Sequence, residues 1–196
     1  MTVPYDPHSP NADPLPVNTP TPLDGQVTLV AYDPAWPGMF EQQAARIRAA
    51  LGDRALRIEH VGSTSVPGLV AKPCIDILLV VADAGDHDAY IPDLEQAGYV
   101  LRISEAPEGW GPHRVFKAPD MNINLHVLSE GSPEIREFLD YRDWLRAHPE
   151  DRDRYAAVKR ELAGRHWNTM QDYADAKSDV VQEIKTRMRK AIPNEG

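Results

Sequence analysis

The sequence predicts a mixed α/β (α+β) fold: a mixed β-sheet core with flanking helices over residues 25–131, followed by a C-terminal segment of three helices over residues 132–192 that packs on the core. Three observations predict it. Short runs rich in Val, Ile and Leu alternate with helical patterns through the first two thirds of the chain. One of them, residues 73–82 (PCIDILLVVA), is nearly all apolar, as expected of a strand covered on both faces. From Ser132 onward the apolar residues recur only at helical spacing.

The elements follow in order. Residues 1–24 hold seven of the 18 prolines and few apolar residues, too few to offset the entropy of ordering, so they read as a disordered or loosely docked Pro-rich tail. Residues 26–32 (QVTLVAY) alternate and predict a strand. Asp33 and Pro34 read as an N-cap and a first helical position, and Phe40, Ala44, Ile47 and Leu51 keep helical spacing until Gly52. A second strand is predicted at 55–61 and the buried strand at 73–82; residues 88–97 read as a helix closed by Gly98, with Pro92 in its first turn. Strands at 99–103, 113–118 and 122–129 complete the core. Ser132 caps a helix to about residue 148, Pro149 opens a second to about 163, and Asn168 or Thr169 starts a third that reaches Ile192.

Composition narrows the function. A single cysteine among 196 residues excludes an internal disulfide, a zinc ribbon and a redox dithiol. No apolar stretch approaches the roughly 18 residues of a membrane span, and the amino terminus lacks a signal-peptide pattern, so a cytoplasmic protein with no membrane partner is expected. The net charge of −9 is uneven. Five acids and no Lys or Arg fall in residues 1–45, leaving 21 bases against 25 acids in residues 46–196, a balance of −4. That body lacks the basic excess with which proteins neutralise a nucleic-acid backbone, so no DNA or RNA partner is expected. A small anion needs only a few well-aimed bases.

The stretch RIEHVGSTSVPGLVAKPCIDILLVV concentrates the chemistry. A strand runs into Gly62-Ser63-Thr64, whose hydroxyls and backbone N–H groups can approach a phosphate, and Asp76 follows inside an apolar strand. A carboxylate there is costly unless it is paired, hydrogen-bonded or bound to metal. Either it serves the site or it only braces the Gly62–Thr64 turn. The spacing excludes a P-loop, because Gly68 is followed by Leu69 and Val70 rather than by Lys and a hydroxyl residue.

A glycine-serine pair, a dozen residues and an aspartate in a strand resembles the polymerase-β-like nucleotidyltransferase superfamily. EHVGSTSVPGLVAKPCIDILL, with NLHV, YRDWLRAHPEDRDRYAAVKREL and the Tyr173/Lys177 pair, resembles the GrpB family more closely, over about residues 25–190. The resemblance implies a nucleotidyltransferase-like core; a related domain is attached to some dephospho-coenzyme A kinases as an apparent folding accessory. It also implies that Asp76 holds Mg²⁺ or another divalent metal. The superfamily's second carboxylate, two residues on, is here Leu78, and the strand at 122–129 offers His126 where a third would be expected. Imidazole suits transition metals, phosphate contact or acid/base work better than Mg²⁺. The expected catalytic and metal residues are therefore Asp76 and His126, with Glu59 an oxygen donor whose face the strand pattern leaves open.

The helices add an independent clue. Arg142 and Arg146 fall inside the stripe of Ile135, Phe138, Leu139 and Leu145; Lys159 borders Tyr155, Val158 and Leu162; Lys177 lies among Met170, Tyr173, Val180 and Ile184. Charges normally lie opposite such stripes. Each cation is explained singly by snorkelling or by a buried pair with Glu137, Asp140 or Asp143, whereas four from three helices point to convergence on one anion. With Gly62, Ser63, Thr64, Lys72 and Arg114 they make the expected ligand site. His60 and Cys74 read as core residues, and Trp110 as a lid or a loop anchor.

The reading from sequence is a nucleotidyltransferase-fold protein whose cleft, between core and C-terminal helices, binds a nucleotide or other phosphorylated anion. Metal-dependent nucleotidyl transfer is in doubt because of Leu78. The alternatives are a non-catalytic binding or folding-accessory module and a metal enzyme acting on another small anion through Asp76 and His126. Oligomeric state stays open.

Overall fold

The structure, a computed structural model, describes residues 16–118 and 120–191. Its elements are β1 (Pro22–Gly25), α1 (Trp36–Leu51), β2 (Arg57–Val61), β3 (Ile75–Val81), α2 (Ile91–Gln96), β4 (Val100–Glu105), β5 (His113–Lys117), β6 (Ile123–Ser129), α3 (Pro133–Ala147), α4 (Pro149–Ala163), β7 (Trp167–Thr169), α5 (Met170–Asp175) and α6 (Ser178–Ala191). Five strands form one mixed sheet in the order β2-β3-β6-β5-β4. Only β3 and β6 run parallel, Asp76 opposite Asn124 and Leu78 opposite His126; the other neighbours are antiparallel. The mixed α+β class expected from the sequence is the architecture observed.

Alternation along the strands gives the sheet two different faces. Ile75, Ile77, Leu79 and Val81 of β3, with Ile123, Leu125 and Val127 of β6, pack against Trp36, Phe40, Ala44, Ile47 and Leu51 of α1 and against Tyr90 and Leu94. The opposite face is covered only in part. Val61, Leu78, Val80 and Leu128 meet Leu139 of α3, while α3, α4 and α6 close a second cluster around Leu145, Tyr155 and Ile184. Where that cover ends, Asp76, Asn124, His126, His113 and Lys117 line an open cleft.

Several expected elements differ. Residues 26–32 form no strand beyond a single bridge from Val30 to Ala71; Val27 and Leu29 instead pack on Leu162 and Tyr173. Their alternation reflects one buried side without a ladder partner. The strand lies earlier, at Pro22–Gly25, paired with β7. Of the expected tail, residues 1–15 lie outside the described residues, and residues 16–23 dock on the body. Asn18 fastens them to the edge of β4: its backbone N–H donates to Arg102 O at 2.7 Å, its amide donates to Ser104 O at 3.0 Å, and its side-chain oxygen accepts from Ser104 N at 2.8 Å. One polar residue thus occupies an otherwise open sheet edge. The first helix starts at Trp36, with Asp33 accepting from the N–H of Ala35. Residues 88–97 contain only the short α2, after a 3₁₀ turn at His87–Ala89.

The third C-terminal helix is two. Periodicity could not show the break, because Tyr173, Lys177, Val180 and Ile184 keep helical spacing across it; Ile192 lies outside the described residues. Thr169 begins α5 with a capping box, its hydroxyl accepting from Asp172 N at 3.1 Å while the Asp172 carboxylate accepts from Thr169 N at 2.9 Å. Thr169→Ala is expected to cost about 1 kcal/mol, read in thermal melts as a fall of roughly 2–4 °C. An unchanged melting temperature would show that α5 is held by packing alone.

Candidate functional site

Gly62 and Asp76 form a single unit. Gly62 has φ +69°, and a Cβ built there would lie 2.2 Å from Asp76 Oδ2 and 2.8 Å from Asp76 Cβ, so only glycine lets the turn reach the carboxylate. The other oxygen, Oδ1, accepts from Asn124 Nδ2 at 2.6 Å. Burial opposes the charge of Asp76, but His126 when protonated, the Asn124 hydrogen bond and the charge of Lys72 outweigh it and hold the carboxyl below its ordinary range. Thr64 faces inward, its hydroxyl 3.0 Å from His60 Nε2 and donating to Cys74 O at 3.3 Å. It braces the turn rather than meeting the cleft.

The cleft has a volume of about 670 Å³ and is walled by Asn18–Thr21, by the strand face from Asp76 to Lys117, and by Lys159, Met170, Tyr173 and Lys177 from the helices. That suits a ligand of nucleotide size. Its lining contains five bases (Lys72, Arg102, Lys117, Lys159, Lys177) and two acids (Asp76, Glu105), opposite in balance to the whole chain. Local placement, not net charge, sets the field that a ligand meets there.

Two of those bases are costly as placed. Lys159 is 2 % exposed, and its Nζ donates to Ser63 Oγ at 2.9 Å and sits 4.8 Å from the Tyr155 ring centre. Burial, then the charge of Lys177, pushes it down to about 7 despite the pull of Asp76. Lys177 lies 4.4 Å from the Tyr173 ring centre and is lowered to about 8, chiefly by burial. Among the described residues neither makes an ion pair with a carboxylate. Most other cations on the helices are neutralised. Lys159 and Lys177 remain as charge directed into a cavity.

Other expected site residues lie elsewhere. Arg142 donates to Glu59 Oε2 and Asp143 Oδ1, both at 2.8 Å, and to His60 O at 3.1 Å. Glu59 does share the face of Asp76, but stands opposite Leu78 and is engaged by Arg142 and Arg57. Arg146 binds Ser65 O at 2.8 Å and Asp143. Both arginines therefore clamp α3 to the turn from behind and do not reach the main cleft. Arg114 points to the opposite side of β5, donating to Glu105 O, His113 O and His87. Strand alternation alone separates it from its neighbours His113 and Val115. Trp110 anchors a loop, its ring against His113 and its carbonyl accepting from Ser132 Oγ. Burial pushes the Cys74 thiol up, as for an unreactive core residue.

Asp76 and His126 do come together, with Oδ1 and Nε2 3.9 Å apart. The surroundings do not fit a resident Mg²⁺, which takes about six oxygen ligands. Oδ1 already accepts from Asn124, Oδ2 is pressed against Gly62, and Leu78 is buried where a second carboxylate would stand. Among the described residues no three His, Cys, Asp or Glu side chains gather as a metal set.

Sequence reasoning missed Glu105, His113, Lys117 and Asn124. The available signal was alternation, which puts His113 and Lys117 on one face of their strand and Asn124 and His126 on one face of theirs. That the two faces coincide depends on strand pairing.

Comparisons with known proteins agree on one family. The GrpB protein family matches residues 26–187. A UPF0157 protein of Halalkalibacterium halodurans is 60% identical over 166 residues, covering 85% of this chain and 84% of that one. A dephospho-CoA kinase of Mycolicibacterium paratuberculosis is 34% identical over 165 residues, which is 71% of this chain and 40% of the kinase. Among solved structures, the conserved protein GrpB from Enterococcus faecalis superposes with a TM-score of 0.72 at 30% identity, covering 83% of this chain and 98% of that chain.

Proposed function

This chain belongs to the GrpB family, and on that premise we propose that its cleft binds a nucleotide or a similar phosphorylated small molecule. The observation that carries the reading is a buried lysine, Lys159, beside Ser63 and a half-buried one, Lys177, both directed into the cleft without a carboxylate partner among the described residues. A buried ammonium is unfavourable alone and favourable against an anion. Lys159 and Ser63 would hold phosphate, with Lys177 and Lys72 as further charge. The relatives named for dephospho-CoA support a phosphorylated ligand.

We further read the sheet as a nucleotidyltransferase-like core, on the strength of the Gly62-Ser63 turn closing on Asp76. Leu78 favours binding without two-metal transfer, and hence a binding or folding-accessory module. A divalent ion would then arrive with the nucleotide as part of the ligand. Among the described residues no helix is long and apolar enough to cross a membrane; a cytoplasmic location fits the free, buried Cys74.

Thermal-shift titration with pyrophosphate and nucleoside triphosphates tests the reading. A ligand at 100 times its Kd stabilises the native state by about 2.7 kcal/mol, a shift of roughly 5–10 °C. The pH dependence is specific. The folded-state values of Lys159 and Lys177, about 7 and about 8, mean that the cations are lost as pH rises through that window. Affinity should therefore be greatest below pH 7 and fall by about tenfold per pH unit for each neutralised lysine above it. If pyrophosphate and nucleotides leave the wild type unshifted at pH 6.5, the proposed function is wrong.

A further inference from the structure

Across the open face of the sheet runs a chain of side chains that phosphate binding does not use. His113 Nδ1 lies 2.9 Å from Glu105 Oε1, His113 Nε2 lies 3.2 Å from His126 Nδ1, and His126 Nε2 stands 3.9 Å from Asp76 Oδ1. The two imidazoles are stacked, 2° from parallel with centroids 5.4 Å apart. Four strands contribute one member each. Glu105 is paired with His113 in the ladder, while His113 and His126, like His126 and Asp76, are diagonal neighbours on the same face. The outer end meets solvent and the middle does not: the Glu105 side chain is 47% exposed and that of His113 6%.

Counting protons gives the chain a direction. A carboxylate only accepts hydrogen bonds, and a neutral imidazole has one N–H and one lone pair. With Glu105 accepting, His113 donates from Nδ1 and must accept at Nε2. His126 then donates from Nδ1, which leaves its Nε2 without a hydrogen, facing the cleft beside another acceptor, Asp76. Their 3.9 Å separation is too long for a direct hydrogen bond. Two acceptors so placed call for a proton-bearing group between them. The remaining neighbours leave this polarity intact. Phe138 of α3 covers the His126 ring, Lys117 of β5 is engaged with Asn124, and Arg114 contacts Glu105 only at its carbonyl. Burial lowers His113 against the pull of Glu105, which keeps it a neutral link.

We infer that Glu105, His113 and His126 form a proton relay that presents His126 Nε2 as a base toward a hydroxyl group lodged against Asp76. The hydroxyl O–H bond breaks as Nε2–H forms, the electron pair staying on oxygen. His126 passes its Nδ1 proton to His113 Nε2, and His113 passes its Nδ1 proton to Glu105, so one proton leaves the cleft for the exposed carboxylate. Glu105 and His113 act through His126 and are positioning residues. A hydroxyl at this point lies in the same cleft as the phosphate held by Lys159 and Ser63, so the ligand that would bring it rests on the binding proposed above. The tautomer that makes Nε2 a base does not.

Ring-nitrogen NMR of the full, ligand-free chain at pH 8 tests the relay directly. In the wild type His126 should hold its hydrogen on Nδ1, in excess by about tenfold or more, as expected when a hydrogen-bonded chain ends on a charged acceptor. His113→Phe keeps an aromatic ring and removes the acceptor, so the hydrogen should move to Nε2, toward Asp76. Glu105→Ala frees His113 to take either tautomer and should shrink the excess at His126 severalfold from two strands away; lying at the surface, it remains informative if His113→Phe fails to fold. A His126 tautomer that is Nε2–H in the wild type, or the same in wild type and Glu105→Ala, overturns the relay. Pyrophosphate titration of the wild type reads the phosphate site separately.

Discussion

Lys159→Met is expected to make the protein more stable and unable to hold its ligand. A lysine held at about 7 rather than its ordinary 10.5 carries, when protonated, a penalty on the order of 5 kcal/mol. Methionine matches its length without the charge and gives up one hydrogen bond to Ser63. The sign of the pH dependence follows from that lowered value. The penalty is fully present below pH 7, where the native state must charge the buried amine, and it fades as pH rises toward 10.5, where the unfolded chain also releases the proton. Lys159→Met should therefore melt roughly 4 °C or more above the wild type at pH 6, with the difference shrinking toward pH 10. In the same samples, pyrophosphate stabilisation should be lost, because removing one partner of a buried charged contact costs about 2–5 kcal/mol, thirtyfold or more in affinity. A destabilised variant at pH 6 would mean that Lys159 is already compensated by a partner in the free protein. Retained pyrophosphate binding would mean that the anion sits elsewhere.

Gly62→Ala is expected to be the most damaging single-methyl change at the site. The alanine Cβ would overlap Asp76 Oδ2 at 2.2 Å and Cβ at 2.8 Å, on a backbone whose φ of +69° is already unfavourable for it. With ψ at −171°, that backbone lies in a region open essentially only to glycine, which costs about 1–3 kcal/mol, and forced overpacking adds about 1–3 kcal/mol. Together these come to about 2–6 kcal/mol, a fall of roughly 4–24 °C in Tm, with loss of pyrophosphate binding as Ser63 is displaced. The double variant Gly62→Ala/Asp76→Ala separates the two causes. Removing the carboxylate relieves the closest contact, so the pair should be less destabilised than the sum of the singles, keeping mainly the conformational cost. Additive effects would show that Gly62 and Asp76 do not interact.

Legibility differed sharply between kinds of feature. The buried strand around Ile77 and Leu79, the helix ending at Leu51, and Pro149 opening α4 were readable because neighbours along the chain decide them. The strand expected at residues 26–32 failed because alternation reports one buried side, and Val27 and Leu29 obtain that burial without pairing. Lys159 and Arg142 illustrate the same limit in the site. Each lies at a helical stripe, which says only that the side chain turns inward. What waits there is set by distant residues: Glu59 for Arg142, an open cleft for Lys159.

The sequence by itself determined the family, through the GSTSVPGLVAKPCIDILL run, and set a Gly-Ser turn a dozen residues before a strand aspartate; that glycine alone allows the two to touch was decided by the tertiary structure. The sequence also determined that Leu78, and not a carboxylate, follows Asp76 on its strand face, since strand alternation is a purely local rule. Tertiary structure decided which cations remain unpaired, that residues 18–21 wall the cleft, and that Glu105, His113, His126 and Asp76 line up across four strands. The physical reason is that local structure follows from backbone preferences and spacing along the chain. Charge compensation and hydrogen-bond direction depend on which strands pair and in what register, and β3 meets β6 in parallel across more than forty intervening residues.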